Sequence, residues 1–225
     1  MTPTILAIET ATEACSAALL HRDHLYERYE LAPQKHNSLI LPMCEDLMHE
    51  AQIQFSDLNA LAFGCGPGSF TGLRIAAGII QGIAFAHQIP VIPISTLRAL
   101  AQELYRQKKA TKILTGLDAR VNEIYWGVYQ LDDLQLMQAV HDDQLVKPAE
   151  IYVPENSGWI GVGGAWQVYG EQLQNILQDK LIEVVPNVYP TATAVILCAK
   201  QDYLQGKVVS AEKALPVYLR DKIVK

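Results

Sequence analysis

Phe63-Gly-Cys-Gly-Pro-Gly-Ser-Phe-Thr-Gly-Leu-Arg-Ile-Ala-Ala-Gly-Ile-Ile-Gln-Gly-Ile-Ala-Phe-Ala-His87 reads as the end of a strand, a glycine-rich turn and a buried helix. Gly64, Gly66, Gly68 and Gly72 bracket Pro67, and glycines at this density permit positive φ and close backbone approach. A strand, a glycine turn and a helix N-terminus together make a phosphate cradle in α/β proteins, through free N–H groups and the positive end of the helix dipole. The spacing is not that of a Walker A loop, and no Lys precedes a Ser or Thr. Arg74 is the one cation nearby. Two readings stand: a phosphate or nucleotide turn, and a tight strand-to-helix corner that binds nothing.

Upstream, Thr4-Ile-Leu-Ala-Ile8 is an apolar strand of the kind buried in mid-sheet, ending in the polar turn Glu9-Thr10-Ala-Thr12. Cys15–Leu20 and His24–Leu31 continue as strands joined by polar turns, which predicts antiparallel hairpins. His36–Glu50 has the helical spacing Leu39, Ile40, Met43, Leu47, Met48, with Asn37 or Ser38 as the expected cap and Pro42 in the first turn. Ala60–Phe63 feeds the glycine turn. The helix after it, Phe70 to His87, is apolar nearly all round, with Gly78 and Gly82 four apart and Ala77 and Ala86 near them. Such a small-residue face admits close approach of another helix. Val91–Ile94 is a strand, Ser95 caps a helix to about Lys108, and Gln107–Thr111 is the expected subdomain boundary, giving units 1–108 and 109–225.

Beyond that boundary the opening pattern returns. Lys112–Leu117 is an apolar strand ending in an acid, Asp118; Glu123–Tyr129 and Leu134–Val140 follow as strands. Pro148 opens a helical turn, and Trp159-Ile-Gly-Val-Gly-Gly-Ala165 is a second strand entering a glycine turn, followed by a helix through about Leu177. Thr191 or Thr193 caps a helix to about Leu204, Gly206 ends it, and Leu215–Leu219 is extended. Strand, acid-bearing turn, strand, turn, strand occurs twice, so the chain reads as two diverged copies of one unit.

Composition narrows the function classes. Half of the 225 residues are apolar and 19% charged, enough for a substantial core. The 18 Lys and Arg against 24 Asp and Glu give a net charge of −6, which disfavours nucleic-acid binding by this chain alone. Arg106-Gln-Lys-Lys109, the densest basic run, reads as a solvated helix end. Cys15, Cys44, Cys65 and Cys198 are far apart with no C-x-x-C pair, as expected for buried free thiols in a reducing cytosol. No basic-then-apolar leader opens the chain, and no run is long enough to span a bilayer, so a soluble cytoplasmic protein with no membrane partner is expected.

The catalytic inventory is thin. If the halves are pseudo-symmetric, Glu9 and Asp118 would face one another and could hold Mg²⁺ or orient a nucleophile at nucleotide phosphates; alternatively both carboxylates cap turns. His21, His24, His36, His49, His87 and His141 make no H-x-x-x-H or H-E-x-x-H pair. Ser69 lies outside any G-x-S-x-G pattern and reads as a helix cap.

Ile5-Leu-Ala-Ile-Glu-Thr10, His36-Asn-Ser-Leu-Ile-Leu-Pro42, Gly66-Pro-Gly-Ser-Phe-Thr-Gly-Leu-Arg74, Leu117-Asp-Ala-Arg120 with Glu123-Ile-Tyr125, and Val217-Tyr-Leu-Arg220 together resemble the TsaB family, also called YeaZ. The resemblance covers nearly the whole chain and is strongest over residues 5–125. It implies an α/β fold of two ribonuclease-H-like subdomains of the actin and sugar-kinase superfamily, with mixed sheets flanked by helices. It also implies a part in making N6-threonylcarbamoyladenosine at position 37 of tRNAs that read codons starting with A. TsaB-like chains are similar to the transferase TsaD but serve as its partner. The histidine pair of TsaD-like proteins falls here on Ser95 and Ala99, which cannot replace imidazole as metal ligands. That argues against the older glycoprotease label of the family.

The expected role is therefore a scaffold or activator subunit, not catalytic alone and without a metal. Its partners would be TsaD in a heterodimer, a second copy of the chain in TsaD's absence, TsaE in a larger complex, and tRNA indirectly. The docking helices are 36–50 and 70–87, with His36, Leu39, Ile40, Met43, Leu47, Leu73, Ala76, Ala77, Ile80 and Ile83 as the expected interface. Glu9, Thr10, Gly66, Gly68 and Asp118 would line a degenerate nucleotide cleft, with no tightly bound cofactor and at most weak ATP or ADP binding. The rivals are an active nucleotide-dependent transferase of the same fold and a metalloprotease.

Overall fold

A computed structural model describes residues 2–220. The chain divides into two compact units, each considered by itself. The first holds residues 1–99 and 190–217; the second holds residues 100–189 and those from Tyr218 on.

In the first unit, β1 (Ile5–Glu9), β2 (Ala14–His21) and β3 (His24–Leu31) form an antiparallel meander. Helix α1 (His36–Glu50) leads to β4 (Ala60–Gly66), α2 (Phe70–His87) and β5 (Val91–Ser95). β4 pairs parallel with β1 and β5 parallel with β4, giving the order β3-β2-β1-β4-β5. β1 and β4 are buried along their whole length because helices cover both faces. The alternation of side chains sorts the strands onto two sides. Leu6, Ile8, Leu19, Leu61 and Phe63 meet Ile40, Leu47, Ala76 and Ile80 of α1 and α2. Ile5, Ala7, Ala18, Ala60 and Ala62 meet α5 (Ala192–Leu204) through Ala192, Val195, Ile196 and Ala199. Each large aliphatic buried this way is worth roughly 1.5–3 kcal/mol.

Helix α3 (Thr96–Lys108) carries the chain into the second unit, the division falling after Ala99. There β6 (Lys112–Arg120), β7 (Glu123–Leu131) and β8 (Met137–Val146) form a second meander. β9 (Trp159–Val162) pairs parallel with β6, α4 (Ala165–Leu177) follows, and β10 (Leu181–Val185) pairs parallel with β9. The order β10-β9-β6-β7-β8 reproduces the first sheet strand for strand. This is the ribonuclease-H-like arrangement, present twice as expected. Where α1 stands in the first unit, the second has only a short turn of 3₁₀ helix, Pro148–Glu150.

The expected division at residue 108 is revised. Helix α5 and the segment to Val217 return to the first unit, because the alanine-rich face of its sheet needs a helix and α5 supplies the matching small side chains. β10 was not expected from sequence. α1 begins at His36 with no side-chain cap from Asn37 or Ser38, so Pro42 lies inside the helix, beyond its first turn. Ser95 does cap α3, accepting from the Arg98 N–H at 3.3 Å, and Thr191 caps α5, accepting from Ala194 at 3.1 Å.

Candidate functional site

The glycine turn of the first unit is filled by the chain itself. The Thr10 hydroxyl donates to the Gly72 carbonyl at 2.8 Å, and the Ser69 N–H donates to the Ala11 carbonyl at 2.8 Å. A Cβ on Gly72 would collide with the Thr10 carbonyl, and one on Gly68 would stand 2.6 Å from that of Ala11. Gly66 has φ 120°, which favours glycine, and a Cβ there would stand 2.6 Å from the Val217 carbonyl. The Gly66–Pro67 peptide is cis. The Ser69 hydroxyl accepts from the Gly72 N–H at 3.3 Å, capping α2. The glycines thus admit the β1–β2 turn and the C-terminal segment, at the place where a nucleotide phosphate would need open N–H groups.

Glu9 ends β1 with its side chain fully buried. Oε1 accepts from the Ala11 N–H at 2.7 Å, while Oε2 has no partner and lies against Gly64, where a Cβ would overlap it. Burial pushes its pKa up from 4.5 to about 7, opposed by the hydrogen bonds from the Ala11 and Thr10 backbone. A carboxyl sealed in this way does not fit a magnesium ligand, which needs water and phosphate within reach. Glu9, Thr10, Gly66 and Gly68 lie together in the first unit as a packed joint, and the residues present do not fit a nucleotide phosphate.

In the second unit Asp118 sits near the end of β6. Its Oδ1 accepts from the Arg120 N–H at 2.9 Å and its Oδ2 pairs with the Arg120 guanidinium at 3.1 Å. Arg220 donates to the Ala119 carbonyl at 3.0 Å and pairs with Glu123 at 2.6 Å, closing the same turn. Asp118 is thus a turn-capping carboxylate, as is Glu9 through its bond to Ala11. At the second glycine turn a Cβ on Gly163 would collide with the Gly116 carbonyl, and the Trp166 ring lies over Gly161. No group of three or more His, Cys, Asp or Glu capable of holding a metal occurs among the described residues. Ala99 is fully buried in the first unit's core. The four cysteines are free and buried, and burial raises Cys15 to about 11 and Cys44 to about 12, so neither is a thiolate at neutral pH.

The expected docking residues divide. His36, Ile40 and Leu47 of α1, and Leu73, Ala76, Ala77 and Ile80 of α2, are buried within the first unit itself. Leu39, Met43 and Ile83 are half-buried at its margin. The outward stripe of α2 is instead Phe70, Arg74, Gly78, Gly82, Phe85 and Ala86. Phe85 is 73% exposed and Phe70 45%, with the Arg74 guanidinium 3.7 Å over the Phe70 ring. Nothing stands within 4 Å of a Cβ built on Gly78 or Gly82. On α1, Leu41 is 40% exposed. Sequence reasoning noticed the glycine pair yet assigned the interface to the large aliphatics. The spacing of 73, 76, 77, 80 and 84 marks the inward stripe, and the residues between them mark the outward one.

Comparison with known proteins agrees with this architecture. A family model described as "TsaD: tRNA N6-adenosine threonylcarbamoyltransferase" matches residues 27–225. The "tRNA threonylcarbamoyladenosine biosynthesis protein TsaB" of Escherichia coli strain K12 is 39% identical, the match covering 97% of this chain and 95% of the relative. The protein of the same name from Haemophilus influenzae is 35% identical over 98% of this chain and 94% of its own. The solved structure "YeaZ from Pseudomonas aeruginosa" superposes with a TM-score of 0.91 at 40% identity, covering 96% of this chain and all of that one. Near-complete coverage at this identity carries one conclusion beyond a shared fold: the chain belongs to the TsaB family, also called YeaZ, and falls within the reach of the TsaD family model.

Proposed function

We propose that the chain takes part in tRNA threonylcarbamoyladenosine biosynthesis as a non-catalytic subunit that docks on TsaD through the outward face of α1 and α2. The observation that carries this is the stripe on α2. Phe70 and Phe85 flank bare Gly78 and Gly82, giving aromatic anchors on either side of a shallow groove in the helix surface. Exposed aromatics act as interface anchors, and small residues between them let a partner helix come close to the backbone. The self-filled glycine turn and sealed Glu9 support the absence of chemistry in this unit. The naming of the relatives supports the pathway.

On this reading TsaD performs the transfer to adenosine 37, TsaE joins the larger complex, and tRNA is reached through the assembly. Without TsaD the same stripe pairs with a second copy of the chain, so homodimer and heterodimer compete. The net charge of −6 supports indirect contact with tRNA. No helix among the described residues is long and apolar enough to cross a membrane. A nucleotide-dependent enzyme would need an open cradle at Gly66–Gly72, and a metalloprotease would need imidazoles at Ser95 and Ala99.

The test is co-purification with the host's TsaD, followed by an assay of tRNA modification with and without this chain. Phe85→Asp and Ala86→Glu are expected to weaken co-elution at least tenfold and reduce modification in step, while leaving the thermal unfolding transition intact. Unchanged co-elution of both variants would overturn the docking face. Tight Mg-ATP binding by the isolated chain, lost in Asp118→Asn, would favour the enzyme reading instead.

A further inference from the structure

Residues 209–217 run across the first unit with their backbone turned inward. Val209 pairs antiparallel with Val91 at the edge of the sheet, through bonds of 2.8 and 2.9 Å. The short 3₁₀ turn Ala211–Lys213 packs on α2, and Ala211 and Ala214 are buried in the same core as Ala76, Ala77 and Ile80. The segment ends on the glycine turn. The Val217 N–H donates to the Cys65 carbonyl at 2.7 Å, and the Val217 carbonyl covers the bare face of Gly66. Leu73, in the first turn of α2, covers the same glycine from its side chain, 3.2 Å from where a Cβ would stand. The side chains of Leu215 and Val217 meanwhile point out, 58% and 45% exposed.

We propose that this segment is a clasp that sets the position of α2's first turn and so tunes the docking stripe; the second half of this statement rests on the docking reading above. A backbone hydrogen bond formed at Cys65, the residue before the end of β4, fixes the path of Cys65 and Gly66. That path decides where Ser69 and Phe70 begin the helix. Val217 is a positioning residue acting through its backbone, which explains why its side chain needs no burial.

Two variants separate backbone from side chain. Val217→Pro deletes the N–H and leaves an apolar residue; Val217→Ala keeps the N–H and trims the side chain. Val217→Pro is expected to raise hydrogen exchange at the Ser69 and Leu73 amides about tenfold, the scale of one net backbone hydrogen bond plus an orphaned carbonyl. It should weaken binding to TsaD by a similar factor, while the cooperative thermal transition persists. Val217→Ala should leave both within twofold. The clasp is overturned by unchanged exchange in Val217→Pro, by equal effects in the two variants, or by loss of the cooperative transition, which would make the segment general core. Changed exchange with unchanged TsaD affinity, where Phe85→Asp does abolish binding, overturns the tuning. If Phe85→Asp also leaves binding unchanged, the docking reading fails, and the exchange result alone decides the clasp.

Discussion

The two units share a strand order and differ in what they do with it. In the first, the turn after β1 and the turn after β4 are locked together backbone to backbone, at Gly68 against Ala11 and Gly72 against Thr10. In the second, the turn after β9 meets β6 at one comparable point, Gly163 against the Gly116 carbonyl, and Gly164 has nothing within 4 Å. Each unit also carries, at or near the end of its first strand, an acid that accepts from the N–H two residues on, Glu9 from Ala11 and Asp118 from Arg120. Glu9 is sealed in the core, whereas the Asp118 side chain keeps 17% of its surface in water. The same corner of the strand order is a close-packed joint in one unit and a less filled, partly solvated turn in the other. The unit with the rigid joint is the one that carries the long helix α2 and its apolar stripe.

The contrast can be broken most directly at the glycines. Gly72→Ala places a methyl group into the Thr10 carbonyl, with no flexible side chain to yield, and is expected to destabilise the first unit by on the order of 3 kcal/mol in denaturant unfolding. A loss below about 1 kcal/mol would show that the joint is not rigid.

Next in size is Glu9→Gln. The folded carboxyl titrates near 7 and the unfolded one near 4.5, so between these values the native state holds the extra proton. Stability contributed at this site is present below pH 4.5 and falls as pH rises through 7. The amide does not titrate, so the variant should be more stable than the parent above pH 7 by on the order of 2–3 kcal/mol, with the pH slope between 4.5 and 7 flattened. Chemical denaturation at pH 5 and pH 8 checks this; parallel curves for parent and variant would refute it.

Gly82→Ala fills open space on the exposed face of α2, so the isolated chain should gain about 1 kcal/mol from helix propensity. Its co-elution with TsaD is expected to weaken because the groove becomes shallower. The smallest effect belongs to Gly164→Ala, where a helical φ of −65° and open space predict a change within about 1 kcal/mol. A large loss there would erase the difference between the two turns.

Strand alternation and helix periodicity made the repeat legible, because buried strands and amphipathic helices write their period directly into the sequence. The meanders, the glycine corners and the caps at Ser95 and Thr191 were all readable in this way. β10 was not, since Leu181–Val185 is a short edge strand with Ile182 66% exposed and Glu183 paired outward to Lys108. Nor was the return of α5 to the first unit: its low contrast between faces, with eight buried residues around the helix, says that it is covered but not by what. At the site, composition identified Glu9, Thr10 and the glycines but could not tell a cradle from a joint. That distinction depends on which backbone fills the space. The burial of seven of the expected docking residues has a related reason: large aliphatics at helical spacing signal a core first.

The discontinuity of the first unit has a consequence for how the protein is made. A ribosome delivers residues 1–99 first, yet one face of that sheet, lined by Ile5, Ala7, Ala18, Ala60 and Ala62, has its cover in α5, nearly a hundred residues later. The second unit, contiguous from Leu100 to Tyr189 but for its last contacts, is complete in the chain before the first can close. The nascent N-terminal half must therefore wait with an apolar, alanine-rich face uncovered, the state in which chains are most open to aggregation and to chaperones. The first unit is closed only at the end of synthesis, when α5 and the segment to Val217 settle and the glycine joint is fastened.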